Sequence, residues 1–438
     1  MKPSGLLWSA RENDSRTWAG GNRLEFVMED SMVVGLDIGT TKIACIIAEQ
    51  DADGGLKIVG VGVSPSDGLR KGVVVNIDKT VRSIQKAVEE AELMAGVDVD
   101  AVWVGIAGDH IRAINSRGVV AISRDDKEIS ELDVLRAVDA AKAVSIPMDR
   151  EILHVIPQEY VVDDQKGIKD PIGMCGVRLE TQVHIITGAV TSAQNIYKSV
   201  DKAGLKVIDM VLEPLASCYS VLEKDEKELG VALIDMGGGT TDIAIYFDES
   251  IRQTAVVALG GKNVTSDIAI GIRTPIDRAE EIKRQYGCAF TPLVKDNEFI
   301  SVPGVGGREQ REVSKAVLAS IIEPRVEEIF SLALRELKRT EYAEMLGAGI
   351  VLTGGGSLME GIKELAEKVF EMPVKLGVPF GFGGLTEAAK SPIHATGIGL
   401  CMYGLEQRQK TKGRRSFGGE DNFKRIFTRM KAWVKEFF

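Results

Sequence analysis

The sequence predicts an α/β protein of two lobes, and three stretches predict it. In MVVGLDIGTTKIACIIAE (32–49) a strand-like run ends in an aspartate, turns through Gly and Thr, and continues as a second strand. VALIDMGGGTTDIAIYF (231–247) repeats that logic: Asp37-x-Gly39-Thr40-Thr41 is matched by Asp235-x-Gly-Gly-Gly-Thr240-Thr241. A third glycine turn follows an apolar strand in AGIVLTGGGSLMEGIKELAEKVF (348–370). A lone glycine-rich turn is usually only a hairpin. Two matching hairpins and a third turn are better explained by one ligand gripped from two sides.

The chain has 438 residues, enough for two or three core-sized units. It is 44% hydrophobic and 27% charged, ordinary for a folded domain protein. No apolar run reaches the ~18–20 residues of a membrane-spanning helix, and the first thirty residues lack the apolar core of a secretory signal. Cysteines 45, 175, 218, 288 and 401 are scattered without a C-x-x-C pair, which argues for reduced thiols and against zinc. A net charge of −10 argues against nucleic-acid binding. From Leu405 to Phe438 ten Lys/Arg oppose four Asp/Glu, so the tail is +6 and the remaining body −16.

Residues 1–31 show no period and are expected to form a mobile extension. After the first strand pair, residues 79–95 read as a helix with Val81, Ile84, Val88 and Ala91 on one face, capped by Asp78 and ended by Gly96. AVWVGIAG (101–108) returns to strand. SELDVLRAVDAAKAV (130–144) is a helix opened by a Ser130-x-x-Asp133 capping signal. REILHVIPQEYVVDD and RLETQVHIITGAVT read as strands on either side of a Gly/Pro-rich stretch. Helices dominate 262–287 and 313–340, and SPIHATGIGLCMYGL (391–405) reads as a last helix. Residues 406–421, charged and containing Gly413, Gly418 and Gly419, read as a flexible linker.

The glycine turns have the chemistry of a phosphate site. Glycine lets backbone approach a phosphate and exposes N–H donors. Asp37 and Asp235 stand at the strand ends, where they would hold Mg2+ through water. Thr40, Thr41, Thr240 and Thr241 supply hydroxyls. No G-x-x-x-x-G-K-[ST] loop occurs, and the first two turns lead into strands, so neither a Walker loop nor a dinucleotide fingerprint is present.

On these motifs the chain resembles the actin-like ATPase superfamily. GLDIGTTKIACII and ALIDMGGGTTDIAIY look like its two phosphate motifs, and IVLTGGGSLMEGI looks like its adenosine motif. MVLEPLASCYSVL (210–222) and PIHATGIGLCMYGL look like its two connecting motifs. HVIPQEYVVDDQKGIKDPIGMCGVRLETQVHI (154–185) and GGKNVTSDIAIGIRTPIDRAEEIKRQYG (260–287) narrow the likeness to the FtsA family of bacterial cell-division proteins, over about 32–405.

The resemblance implies an actin-like fold of duplicated ribonuclease-H-like subdomains. Subdomain IA would be 32–99 with 188–210, and an SHS2-type subdomain IC (100–187) would replace the usual IB. IIA would be 211–260 with 346–405, and IIB 261–345. ATP and Mg2+ would lie between the lobes. Gly39, Thr40, Thr41 and Lys42 would grip phosphate from one side, and Gly237, Gly238, Gly239 and Thr240 from the other. Gly354, Gly355 and Gly356 would approach the adenosine, while Glu280, Lys283 and Arg284 would flank purine and ribose. Asp37 and Asp235 would orient the metal. Glu213, in LEPLAS, is the candidate for positioning the attacking water, and any hydrolysis would be slow. The bland readings are a structural carboxylate before Pro214 and, for Glu280, Lys283 and Arg284, a solvated helix face.

Residues 422–438, NFKRIFTRMKAWVKEFF, place Phe423, Ile426, Phe427, Met430, Trp433, Val434 and Phe437 on one helical face. Phe438 ends the apolar series, and Lys424, Arg425, Arg429, Lys431 and Lys435 fall on the other side. A helix of about sixteen residues is some 24 Å long, too short to span a bilayer but suited to lying in its anionic surface. The resemblance implies a peripheral protein on the cytoplasmic face of the membrane at the division septum. It would hold the FtsZ tail through IIB, self-associate into filaments, and recruit later division proteins. A PilM-like pilus-assembly homologue and a sugar-kinase-type phosphotransferase share the phosphate motifs; the tail and the middle insertion separate them from this reading.

Overall fold

The structure, a computed structural model, describes residues 31–51, 54–295 and 297–416. The extension expected over 1–31 (Ser31 apart) and the terminal helix expected over 422–438 lie outside the described residues.

Three strands open the first lobe: β1 (Met32–Ile38), β2 (Lys42–Gln50) and β3 (Leu56–Pro65). Runs such as Ile43 to Ala48 are buried on both faces, which is why they read as continuous apolar segments and not as alternating ones. A short hairpin, β4 (Leu69–Arg70) and β5 (Val73–Val74), leads into α1 (Ile77–Ala95). Helix α1 buries Ile84, Ala87, Val88 and Ala91 against β3. The expected cap, Asp78, is corrected to Asn76, whose Oδ1 accepts from Lys79 N at 2.9 Å; Gly96 ends the helix at φ 70°, as expected. Strand β6 (Ala101–Ile106) then pairs parallel with β1.

The chain next leaves this sheet. β7 (Arg112–Ala121), α2 (Glu131–Lys142), β8 (Arg150–Val162), β9 (Gln165–Ile168) and β10 (Arg178–Ala189) build a separate antiparallel sheet in the order β7-β10-β8-β9. The capping signal of α2 forms: the Asp133 carboxylate accepts from Ser130 N at 3.1 Å and Ser130 Oγ at 2.6 Å. Helix α2 lies against Gly118, where a β-carbon would fall 2.1 Å from Ala137 O. A small core of Ile122, Ile129, Tyr160, Val162 and Leu179 belongs to this unit.

Helix α3 (Val190–Lys202) returns the chain, and β11 (Lys206–Leu212) pairs parallel beside β6. After α4 (Glu213–Val221) and α5 (Lys224–Leu229) the second sheet begins with β12 (Val231–Met236), β13 (Thr241–Phe247) and β14 (Ser250–Val257). A helical unit follows: α6 (Gly261–Gly271), α7 (Ile276–Tyr286), the hairpin β15 (Phe299–Val302) and β16 (Arg311–Ser314), and α8 (Lys315–Lys338). Strand β17 (Ile350–Thr353), α9 (Ile362–Phe370) and β18 (Val374–Leu376) complete the sheet as β14-β13-β12-β17-β18.

The duplication is therefore topological. The first sheet runs β11-β6-β1-β2-β3, so each sheet has three consecutive strands with two later parallel strands beyond the first of them. Its sixth strand, β19 (Phe382–Gly384), pairs parallel with β3. Helices α10 (Thr386–Ala389) and α11 (Ala395–Ser416) follow it. Two expectations are corrected here. The segment 346–405 is expected wholly in the second lobe, yet β19 crosses back to the first sheet; a three-residue edge strand of Phe-Gly-Gly carries no alternation to reveal it. The linker expected from 406 is helical as far as Ser416, because Glu, Gln, Lys and Arg are good helix formers and Glu406 pairs with Lys410 one turn on.

The inserted sheet docks on β14 through buried polar contacts. Gln158 Nε2 donates to the carbonyls of Ile251 (2.8 Å) and Arg252 (2.9 Å), and His184 Nε2 lies 3.0 Å from Thr254 Oγ1. His154 Nε2 accepts from Leu212 N at 3.0 Å, so that ring is neutral. Burial pushes both imidazoles down to about 4. A histidine depressed on folding leaves the unfolded chain binding more protons between the two pKa values, so stability falls as pH falls. Urea unfolding should therefore show the wild type losing about 1.4 kcal/mol per pH unit relative to a His184→Gln variant between pH ~6.5 and ~4. Parallel pH profiles would contradict the buried neutral ring.

Candidate functional site

The two glycine turns sit at equivalent ends of the central strands of their sheets. Asp37 is the penultimate residue of β1 and Asp235 that of β12. The second turn is closed by Gly237 N donating to Thr240 O at 3.0 Å. The turns meet at van der Waals contact. A β-carbon on Gly238 would fall 2.3 Å from Thr41 Cγ2, and one on Gly239 would fall 2.6 Å from Thr40 Oγ1. Glycine is required at both positions because the facing threonines occupy the space a side chain would need. Thr40 Oγ1 accepts from Gly72 N at 2.9 Å, tying this turn to the β4–β5 hairpin.

Four carboxylates converge behind the turns. Asp37 is 5% exposed and its Oδ2 accepts from Lys42 Nζ at 2.6 Å. Asp235 Oδ2 accepts from Ser217 Oγ at 2.8 Å, and Ser217 Oγ lies 3.1 Å from Thr396 Oγ1. Asp242 is the cross-strand neighbour of Asp235; its Oδ2 accepts from Thr240 Oγ1 at 2.9 Å and its Oδ1 is buried without a partner. Glu213, half-buried at the start of α4, points toward Gly105, whose β-carbon would lie 3.0 Å from Glu213 Cγ.

Burial and mutual repulsion push Asp235, Asp242 and Glu213 upward. Asp235 rises to about 6 and Asp242 to about 7, chiefly through desolvation with neighbouring aspartates adding. Glu213 is raised well above the usual carboxylate range by burial, then by Asp37, Asp242 and Asp235. Lys42 opposes the rise at Glu213 and Asp235. His394 lies close by, pushed down to about 4 by burial and Lys42, with its Nδ1 unpartnered.

This arrangement fits a bound dication. Among the described residues no three His, Cys, Asp or Glu side chains are close enough to ligate an ion directly. The orphaned Asp242 oxygen and the raised carboxyls show an excess of negative charge that an ion held through water would neutralise.

The remaining expected residues border the same region. Lys283 Nζ donates to Glu280 Oε2 (2.7 Å), Thr265 Oγ1 (2.9 Å) and Gly261 O (3.2 Å), and Gly261 N donates to Gly237 O at 2.9 Å. Arg284 is exposed one position further on α7. Gly354, at φ +82°, lies against the second turn: a β-carbon there would be 2.3 Å from Asp235 Oδ1 and 2.7 Å from Met236 O. Gly356 likewise meets Met236, while Gly355 is exposed near Ile393. Packing on β12 alone thus demands two of these three glycines.

Several residues here escaped the sequence reading. Asp242 was legible: a hairpin turning through 237–240 places 242 opposite 235 on the same face. Ser217, Thr396 and His394 were not, because only the fold brings α4 and the start of α11 to β12. Ser66, whose N donates to Thr41 O at 3.1 Å and whose hydroxyl is buried without a partner, also had no local signal.

Residues 232–399 match the family model for cell division protein FtsA, and residues 108–187 match the model for the SHS2 domain inserted in FtsA. The cell division protein FtsA of Pseudomonas aeruginosa is 51% identical over 413 residues, covering 93% of this chain and 99% of that protein. Those of Neisseria meningitidis (47%; 92% and 98% covered) and Escherichia coli K12 (41%; 92% and 96% covered) are also similar. Among solved structures, a PilM-PilN type IV pilus biogenesis complex superposes with a TM-score of 0.62 at 16% identity, over 85% of this chain and 98% of that one. MreB5 of Spiroplasma citri bound to ADP superposes with a TM-score of 0.54 at 14% identity, over 87% and 98%. These two likenesses are of fold, and the fold is the actin-like one.

Proposed function

The chain belongs to the FtsA family of bacterial cell-division proteins, and on that premise we propose that it is an ATP- and Mg2+-binding adaptor that tethers FtsZ to the membrane. The observation that carries the nucleotide part is the pair of Asp–Gly–Thr turns, one from each sheet, meeting over four carboxylates and Lys42. Bound Mg2+ would supply the positive charge that lets Asp235 and Asp242 remain ionised beside phosphate. Backbone N–H groups of 39–41 and 238–240 would present donors to the phosphates. Glu213, among these carboxylates, would orient the attacking water. Glu280, Lys283 and Arg284 would flank the nucleoside, and Gly354, Gly355 and Gly356 the adenosine.

The partner assignments rest on family membership and on charge. The unit spanning 261–345 exposes the apolar side chains of Ile276, Phe299 and Val305, any of which would serve as an anchor for an FtsZ tail. No helix among the described residues is long and apolar enough to cross a membrane. The basic, apolar composition of segment 422–438 supports attachment there to the cytoplasmic face of the membrane at the septum. Self-association through the inserted unit and recruitment of later division proteins complete the reading.

Vesicle reconstitution tests it. FtsZ should pellet with anionic vesicles only when this chain and Mg2+–ATP are present. A Phe299→Glu variant should lower that recruitment about tenfold while itself still binding vesicles. Recruitment equal with and without the chain would remove the adaptor role.

A further inference from the structure

Three lysines border the two turns, and they are not equivalent. Lys42 is committed to Asp37 at 2.6 Å, and Lys283 to Glu280 at 2.7 Å. Lys262 instead crosses between the lobes: its Nζ donates to the backbone carbonyl of Thr40 at 2.8 Å. Its own backbone is fixed to the second turn, because Lys262 N donates to Gly238 O at 2.8 Å and Gly261 N to Gly237 O at 2.9 Å. Thr40 is equally fixed on the other side, 7% exposed and bonded through Oγ1 to Gly72 N at 2.9 Å. One side chain thus closes a continuous path from α6 through the first turn to the β4–β5 hairpin.

We propose that Lys262 is an interlobe latch that reports the nucleotide's terminal phosphate. The inference rests on the nucleotide reading given above. A neutral carbonyl is a poorer partner for an ammonium than a phosphate oxygen, and charge-assisted bonds are roughly twice as strong as neutral ones. An anion seated between the turns therefore competes for Lys262 and releases the Thr40 carbonyl. Lys42 and Lys283 exchange less readily, since each would leave a carboxylate behind. Burial pushes the Lys262 ammonium down, against the pull of Glu280 and Asp67 and with a smaller push from Lys283. Lys262 is a positioning residue in this account: it sets the spacing of the turns and weights binding toward the triphosphate.

The test compares the full chain with Lys262→Met, which keeps the stem, and Lys262→Arg, which keeps the charge. Without nucleotide, hydrogen exchange at the Gly72 amide and in the Thr40–Thr41 turn should quicken about tenfold in Lys262→Met and stay near wild type in Lys262→Arg. Calorimetry with Mg2+–ATP and Mg2+–ADP should show the wild type's preference for ATP falling about tenfold in Lys262→Met, in line with loss of one charge-assisted bond. Unchanged exchange and an unchanged ATP-to-ADP ratio in a folded Lys262→Met protein would overturn the latch. If the wild type binds neither nucleotide, the nucleotide reading fails, and the exchange measurement still decides whether Lys262 joins the lobes.

Discussion

Replacing Phe427 and Trp433 together by glutamate is expected to lower binding to anionic vesicles about a hundredfold or more. Burying a large apolar side chain contributes about 1.5–3 kcal/mol, so two such losses amount to at least two decades in affinity. The basic residues Lys424, Arg425 and Arg429 add about 1 kcal/mol each near an anionic surface. Neutral vesicles should therefore bind the wild type more weakly than anionic ones, and salt should weaken it further. Because ordering the segment costs entropy, a single tail binds modestly, and assembly of many copies multiplies the effect. Pelleting of wild type and double variant side by side checks this; equal pelleting on anionic lipid would remove the tether.

Gly399→Val is expected to cost roughly 3 kcal/mol or more of stability, as overpacking at a rigid contact does. Helix α11 crosses α4 so closely that a β-carbon at Gly399 would fall 1.9 Å from Ala216 O. The obstacle is backbone, which cannot rotate away. The same helix approaches β1 at Gly35, whose β-carbon would lie 2.4 Å from Gly397 O. Ser220 Oγ donates to Ala395 O at 2.7 Å across the crossing, and Ser217 links Thr396 to Asp235. Displacing α11 would therefore disturb the second-lobe aspartate as well as the core. Urea unfolding of the variant, read alongside Mg2+–ATP binding, measures both effects. A loss below ~1 kcal/mol would show that the crossing can relax.

How much of this was legible follows from what each feature depends on. The strands around Asp37 and Asp235 are continuous apolar runs bounded by glycine, so both they and their duplication could be read from local pattern. The caps at Ser130 and Gly96 are equally local, whereas Asn76 and Asp78, two positions apart, offer the same capping signal and only the structure selects Asn76. The turns' chemistry was readable in residue type, and Asp242 in register. Ser217, Thr396 and His394 were not, since their approach to Asp235 and Asp37 depends on helices nearly two hundred positions apart in sequence. Lys262 lay in a quoted motif, but its partner, Thr40, is 222 positions away. The strand β19 and the helical course of 406–416 failed for a different reason: short edge strands carry no period, and charge with scattered glycine describes a solvated helix as well as a linker.

The central claim is that the facing turns around Asp37 and Asp235 hold one adenine nucleotide with Mg2+. Isothermal titration of the purified full chain with ATP, in excess Mg2+ and again with Mg2+ chelated, tests it most directly. The account predicts one site per chain with Mg2+ present, binding weakened at least tenfold by chelation, and a comparable loss in Asp235→Asn. Absence of any saturable ATP uptake by the folded wild type in Mg2+ would contradict it.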